Sequence, residues 1–158
     1  MKLAIVLIPG MHPEAARPVF DAIKEKFEEE NFEIVELERA NDEELDEKIK
    51  NRKVKSKILI GKSLGGRVAV EHQLEYKDAE ALVLLAPAVE ARDGLKEIEI
   101  PVLIIHGTED TTIPIENSRE LKKYFKNCKL VEIPDTDHAY RGKEKEVAKL
   151  IAEWLNSF

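Results

Sequence analysis

The 158 residues are 43% apolar and 36% charged, the balance of a globular chain rather than a disordered, collagen-like or membrane-spanning one. At this length a single domain, residues 1–158, is expected, with a core that needs neither metal nor disulfide. With 25 basic against 32 acidic residues the net charge is −7, which speaks against general binding of nucleic acid or an anionic membrane surface, since both need a basic face.

Residues 3–8 are a β-branched, apolar run that reads as a buried parallel strand and ends at Pro9–Gly10. Residues 13–30 then place Ala16, Val19, Phe20, Ile23 and Phe27 on one helical face. A second strand over 33–37 precedes a short, highly charged helix over 42–50, with only Leu45 and Ile49 turned inward. The third strand, 57–60, leads into a helix over 65–76. Strands over 81–85 and 102–105 are separated by residues 87–99, which hold an Asp93–Gly94 turn and at most one helical turn. A helix over 115–125, a strand over 129–133 and a last helix over 143–158 complete the chain. The last helix is expected to bury Val147, Leu150, Ile151, Trp154 and Leu155. Alternation of this regularity implies an α/β fold: a six-stranded, mostly parallel sheet with helices on both faces and right-handed crossovers.

After the third strand the chain reads Gly61-Lys62-Ser63-Leu64-Gly65-Gly66. This is G-x-S-x-G between a strand and a helix, the setting of a nucleophile elbow. A serine on so tight a turn needs neighbours without Cβ atoms, which Gly61 and Gly65 supply. The helix that follows aims free N–H groups and its positive end at the serine, a setting suited to an oxyanion. A P-loop is the competing reading of Gly61-Lys62-Ser63. It needs a glycine five residues before Gly61, where Ser56 stands.

Serine needs a base. In a parallel sheet every loop after a strand emerges at the same edge, so Ser63, His12 and His138 reach one crevice. His138, in the polar loop before the last helix, is the expected base, and His12 is its competitor. His72 reads as a helix-face residue and His106, at the end of the fifth strand, as structural. An orienting carboxylate is required, and Asp110 in His106-Gly107-Thr108-Glu109-Asp110 is the expected one, with Glu109 and Asp93 as alternatives. Asp135 and Asp137 read as turn formers. The oxyanion donors are expected to be the N–H of Leu64 and the N–H of Met11, with Gly10 letting the backbone turn toward substrate. Histidine titrates near pH ~6.5, so kcat/KM is expected to rise through one ionisation at about pH 6–7.

These segments together resemble the α/β-hydrolase family, along the whole chain. The resemblance is carried by Ile8-Pro9-Gly10-Met11, by Gly61 through Arg67, by the Pro-Val-Leu-Ile-Ile-His-Gly run of residues 101–107 with Asp110 and Ile113-Pro114 behind it, and by Asp137-His138. It implies hydrolysis of small carboxyl esters through an acyl-enzyme, with Ser63, Asp110 and His138 as the triad. It also implies a sheet reduced from eight strands to six, in the order 2-1-3-4-5-6. Many members carry histidine where this chain has Lys62. The cap that many members insert is reduced here to residues 87–99, so an open, shallow cleft for short acyl chains is expected, with Val89 and Leu95 as apolar contacts. No cofactor and no metal are implied.

The expected partner is a small-molecule ester, with no nucleic acid and no membrane, for a monomer or small homo-oligomer. Cys128 is the lone cysteine, and the first apolar run is short for a secretion signal, so a cytoplasmic protein is expected. Two alternatives stay open: thioester, lactone or peptide cleavage by the same triad, and a catalytically weak scaffold used for binding.

Overall fold

The computed structural model describes residues 3–30, 32–51 and 56–158. Among the described residues six strands form one sheet: β1 (Ala4–Ile8), β2 (Glu33–Glu36), β3 (Lys57–Lys62), β4 (Ala81–Leu85), β5 (Val102–Gly107) and β6 (Cys128–Ile133). Every pairing is parallel and the order is β2-β1-β3-β4-β5-β6. Among the described residues four helices connect strands, α1 (Pro13–Glu28), α2 (Asp42–Asn51), α3 (Leu64–Tyr76) and α4 (Ile115–Lys122), and a fifth, α5 (Glu144–Leu155), follows β6. A 3₁₀ turn over Asp93–Glu97 is the helical part of the β4–β5 connection.

Side chains alternate across each strand, which sorts the apolar runs into two layers. Ile5 and Leu7 of β1 face α1 and α5, with Phe20, Ile23, Phe27, Val147 and Ile151. Val6 and Ile8 face the other side, with Leu45, Val68, Val70, Leu95 and Leu121. Both faces of the sheet are thus covered, which is why its strands are near-continuous hydrophobic runs.

The boundaries depart from the sequence reading in instructive places. β3 runs two residues further than its apolar stretch, because Gly61 and Lys62 pair in register with Leu84 and Leu85 of β4. In α5 the fully buried positions are Val147, Ala148, Ile151 and Ala152. Leu150, Trp154 and Leu155 pack against this core only partly buried. Leu95 is completely buried beneath the 3₁₀ turn, which corrects the expectation that it meets substrate.

Candidate active site

Ser63 joins β3 to α3 with φ 55° and ψ −116°, a conformation that costs a non-glycine residue about 1–3 kcal/mol. The surroundings hold it there. Its N–H donates to the Leu85 carbonyl at 2.9 Å, and its own carbonyl accepts from Ala88 N–H at 2.9 Å and Gly66 N–H at 3.0 Å. The two glycines are needed for close approach. A Cβ on Gly61 would lie 2.2 Å from the Gly65 carbonyl oxygen, and one on Gly65 would lie 2.0 Å from the Ile8 carbonyl oxygen. The hydroxyl makes no cap hydrogen bond to the helix it begins.

Gly10, near the start of the loop after β1, packs against the same turn. A Cβ there would be 3.3 Å from Ser63 Cβ and 3.8 Å from the Leu64 nitrogen. The first N–H groups of α3 have no acceptor within the helix. Gly10 and the Leu64 amide therefore border the same spot beside Ser63, while the Met11 side chain is exposed.

The loops that carry Asp110 and His138 are laced together. The Glu109 N–H donates to the Thr136 carbonyl at 2.9 Å, the Asp135 N–H donates to Thr108 Oγ1 at 2.9 Å, and a Cβ on Gly107 would stand 2.2 Å from the Thr136 oxygen. This lacing brings residues 28 apart into contact: His138 Nδ1 lies 2.6 Å from Asp110 Oδ2. The other carboxylate oxygen, Oδ1, accepts the N–H groups of Thr112 and Ile113, each at 2.8 Å. The Asp110 carboxylate is fully buried, while 19% of the His138 side chain remains exposed. Burial alone would push the Asp110 carboxyl up. Hydrogen bonds from His106, His138 and the Ile113 N–H, together with the charge of His138, outweigh it and hold the group well below the usual carboxylate range. Among the described residues no hydrogen bond joins Ser63 Oγ to the His138 ring, a contact that in hydrolases often tightens only with substrate bound.

The competing residues are engaged elsewhere. His12 is exposed and 3.9 Å from Glu14. His72 is buried against Asp78 at 2.9 Å and stacks on Tyr76. Glu109 points to solvent, and Asp93 is exposed beside Lys96. Asp137 accepts the N–H groups of Ala139 and Arg141 at 3.1 Å, the turn-forming role expected of it.

Two features escaped the sequence. Lys62, next to Ser63, is only 2% exposed. Burial pushes its ammonium down, opposed by the charges of Asp110 and Asp137. His106 is completely buried and stands 3.1 Å from Asp110 Oδ2. The spacing of His106 and Asp110 was a usable signal, since a strand end and the loop after it double back over four residues. Among the described residues no group of three or more His, Cys, Asp or Glu side chains is arranged to hold a metal ion.

Beside the elbow lies an open recess of about 420 Å³, lined by Arg67, Ala88, Val89, Glu90, Ile113 and Asn117 among others. Its wall is tied to Ser63 and Asp110, because Ala88 N–H bonds the Ser63 carbonyl and Ile113 N–H bonds the Asp110 carboxylate.

The profile of the alpha/beta hydrolase family matches residues 25–146. Among curated proteins, the chain is 37% identical over 67 residues to the AB hydrolase superfamily protein YisY of Bacillus subtilis, a stretch that is 42% of this chain and 25% of that protein. It is 40% identical over 55 residues to a bifunctional esterase/perhydrolase of Acinetobacter calcoaceticus, 34% of this chain and 20% of that one. The matched stretches thus span a quarter or less of these relatives. Among solved structures, Est1E from Butyrivibrio proteoclasticus superposes with a TM-score of 0.84 at 21% identity, covering 99% of this chain and 87% of that one. An esterase from Exiguobacterium antarcticum superposes with a TM-score of 0.81 at 15% identity, covering 98% and 92%. These structures share the fold of this chain, and the profile spans most of the sequence: the chain belongs to the alpha/beta hydrolase family.

Proposed function

We propose that the protein is a serine hydrolase that cleaves small carboxyl esters through an acyl-enzyme, with Ser63 as nucleophile, His138 as general base and Asp110 as its orienting acid. The observation that carries the reading is the 2.6 Å Asp110–His138 couple at the sheet edge where Ser63 sits on its strained turn. With Nδ1 committed to Asp110, the imidazole turns Nε2 outward as the acceptor for a proton. Ser63 Oγ attacks the ester carbonyl and its proton passes to His138 Nε2. The carbonyl π electrons move onto oxygen, and the N–H groups of Leu64 and Met11 receive that charge. Collapse of the tetrahedral species breaks the bond to the alcohol, which leaves with the proton from His138. Water then repeats the sequence on the acyl-enzyme, giving the carboxylic acid and free Ser63.

Fluorophosphonate labelling of the native protein against Ser63→Ala tests this reading. Labelling and ester turnover are expected in the native protein and absent in the variant, whose thermal stability is equal or raised because the strained serine does not favour folding. Labelling that persists at another residue, such as Ser118, would overturn it.

The recess bears on substrate size. Its lining mixes Val89 and Ile113 with Arg67, Glu90, Asn117 and Glu120, so a long alkyl chain would meet charge and water after its first carbons. Each buried methylene is worth about 0.8 kcal/mol, roughly fourfold in binding, and that gain stops where burial stops. Activity on p-nitrophenyl esters is expected to peak between acetate and hexanoate. A steady rise in kcat/KM to dodecanoate would contradict it.

A further inference from the structure

His106 lies at the end of β5, where alternation turns its ring under the sheet edge with none of its surface exposed. Its hydrogen bonds are fully specified. Nε2 stands 2.8 Å from the Ile113 carbonyl, which can only accept, so Nε2 carries the proton. The same Nε2 is 3.1 Å from Asp110 Oδ2. Nδ1 is 2.6 Å from Ser118 Oγ, so the buried hydroxyl of α4 donates to it. The chain of contacts runs Ser118–His106–Asp110–His138, and both rings converge on one oxygen, Oδ2. Ser118 is itself completely buried, so this inner serine and histidine meet no substrate.

We propose that His106 is a positioning residue for the triad: locked by Ser118 and the Ile113 carbonyl, it holds the Asp110 carboxylate in the orientation and charge state that presents Oδ2 to His138. The inference rests on Asp110 and His138 acting as acid and base.

Three physical points support it. A carboxylate oxygen that binds His138 Nδ1 on one side and packs against His106 Nε2 at 3.1 Å on the other has less freedom to rotate than one held from a single side. The Ile113 segment is gripped twice, its carbonyl by His106 and its N–H by Asp110 Oδ1, so losing the ring loosens the acid loop as well as the carboxylate. The His106 contact is also among the causes that hold the Asp110 carboxyl down against its burial. Without that donor, Oδ2 becomes the stronger acceptor toward His138 and favours its imidazolium form. The acid limb of activity then moves to higher pH.

Other charges face the network. Glu132 of β6 lies in register with His106 and is paired to Arg119 of α4. Lys62 at the end of β3 acts on Asp110 and Asp137. The buried Tyr140 hydroxyl, donating to the Ile105 carbonyl, feels Asp110. All of them are present in each variant below, so a difference between variants reports on His106.

The test compares native protein, His106→Leu, His106→Gln and Ser118→Ala. It follows the pH profile of p-nitrophenyl acetate hydrolysis, and also the ¹⁵N imidazole titration of His138 in a Ser63→Ala background, which needs no turnover. For His106→Leu, kcat is expected to fall on the order of 10- to 100-fold with KM little changed. The His138 titration and the acid limb should move up by about half a unit or more. The glutamine amide supplies an N–H near the position of Nε2, so His106→Gln should recover most of the limb position. If His106→Leu does not fold, Ser118→Ala, which frees only Nδ1, carries the test and should move the limb in the same direction. An unmoved titration in a folded His106→Leu or Ser118→Ala overturns the proposal, as does a His106→Gln variant as shifted as the leucine. A native protein that fluorophosphonate does not label would instead overturn the triad reading, and the His138 titration would still decide the role of His106.

Discussion

Replacing His138 by alanine is expected to lower kcat/KM by on the order of 10⁴–10⁶-fold, while His12→Ala leaves it near the native value. His12 is exposed beside Glu14, whereas His138 has a buried carboxylate on Nδ1 to fix its tautomer. Asp110→Asn should cost on the order of 10⁴ in kcat, because an amide nitrogen facing Nδ1 favours the wrong tautomer. The same substitution carries a stability signature whose sign follows from the depressed Asp110 carboxyl. Its folded value lies below the ~3.9 of an unfolded aspartate. The stabilisation is therefore complete above about pH 4 and is lost as pH falls through the folded value. Native protein should unfold more readily on acidification below pH ~4, and Asp110→Asn should be less stable at neutral pH with part of that dependence removed. Stopped-flow kinetics and thermal melts across pH 2–8 check both. An Asp110→Asn enzyme of native kcat, or a His12→Ala enzyme that is dead, would assign the base and acid wrongly.

The fold was legible because the signals were strong and local. β-branched runs bounded by Pro9–Gly10 and by the Gly61–Gly66 turn leave few topologies once crossovers are short and right-handed. Misreadings arose where burial contradicts composition. The apolar run that marks the third strand stops at residue 60, yet the charged Lys62 completes β3 and is buried. Leu95, an apolar residue in a segment that reads as a loop, looks like a substrate contact, yet it fills the core below the 3₁₀ turn. The site was legible at the level of the sheet edge, since every β–α loop opens there. Preferring His138 to His12 rested on loop position. The actual discriminator is the lacing of Thr108, Glu109 and Gly107 to residues 135–136, a long-range packing fact. His106 reads as structural because its strand-end position shows neither partner directly: only its four-residue spacing from Asp110 hints at that contact, and nothing local points to Ser118.

The elbow's glycines make the sharpest structural prediction. Gly65→Ala places a methyl group 2.0 Å from the Ile8 carbonyl oxygen and 2.6 Å from that of Pro9. Both are backbone atoms of β1 and of the loop that borders the oxyanion position, so no side-chain rotation relieves the clash. Either α3 lifts from β1, or the Pro9–Met11 segment moves away from Ser63. The first loses packing of Val68 and Ala69 beneath the elbow, and the second opens the space between Met11 and Leu64. The expected result is a loss of about 3 kcal/mol or more in stability and a loss of fluorophosphonate labelling in whatever folded protein remains. Gly61→Ala, with its Cβ 2.2 Å from the Gly65 oxygen, should behave alike. Gly94→Ala is the control: its Cβ meets nothing within 4 Å and it lies in the 3₁₀ turn, so stability should be unchanged or raised by about 0.4–1 kcal/mol through the unfolded chain. Thermal denaturation of the three variants measures this contrast. A Gly65→Ala protein that melts like Gly94→Ala and still labels would mean that the turn relaxes without cost, and that the close approach of α3 to β1 is not what holds Ser63 in place.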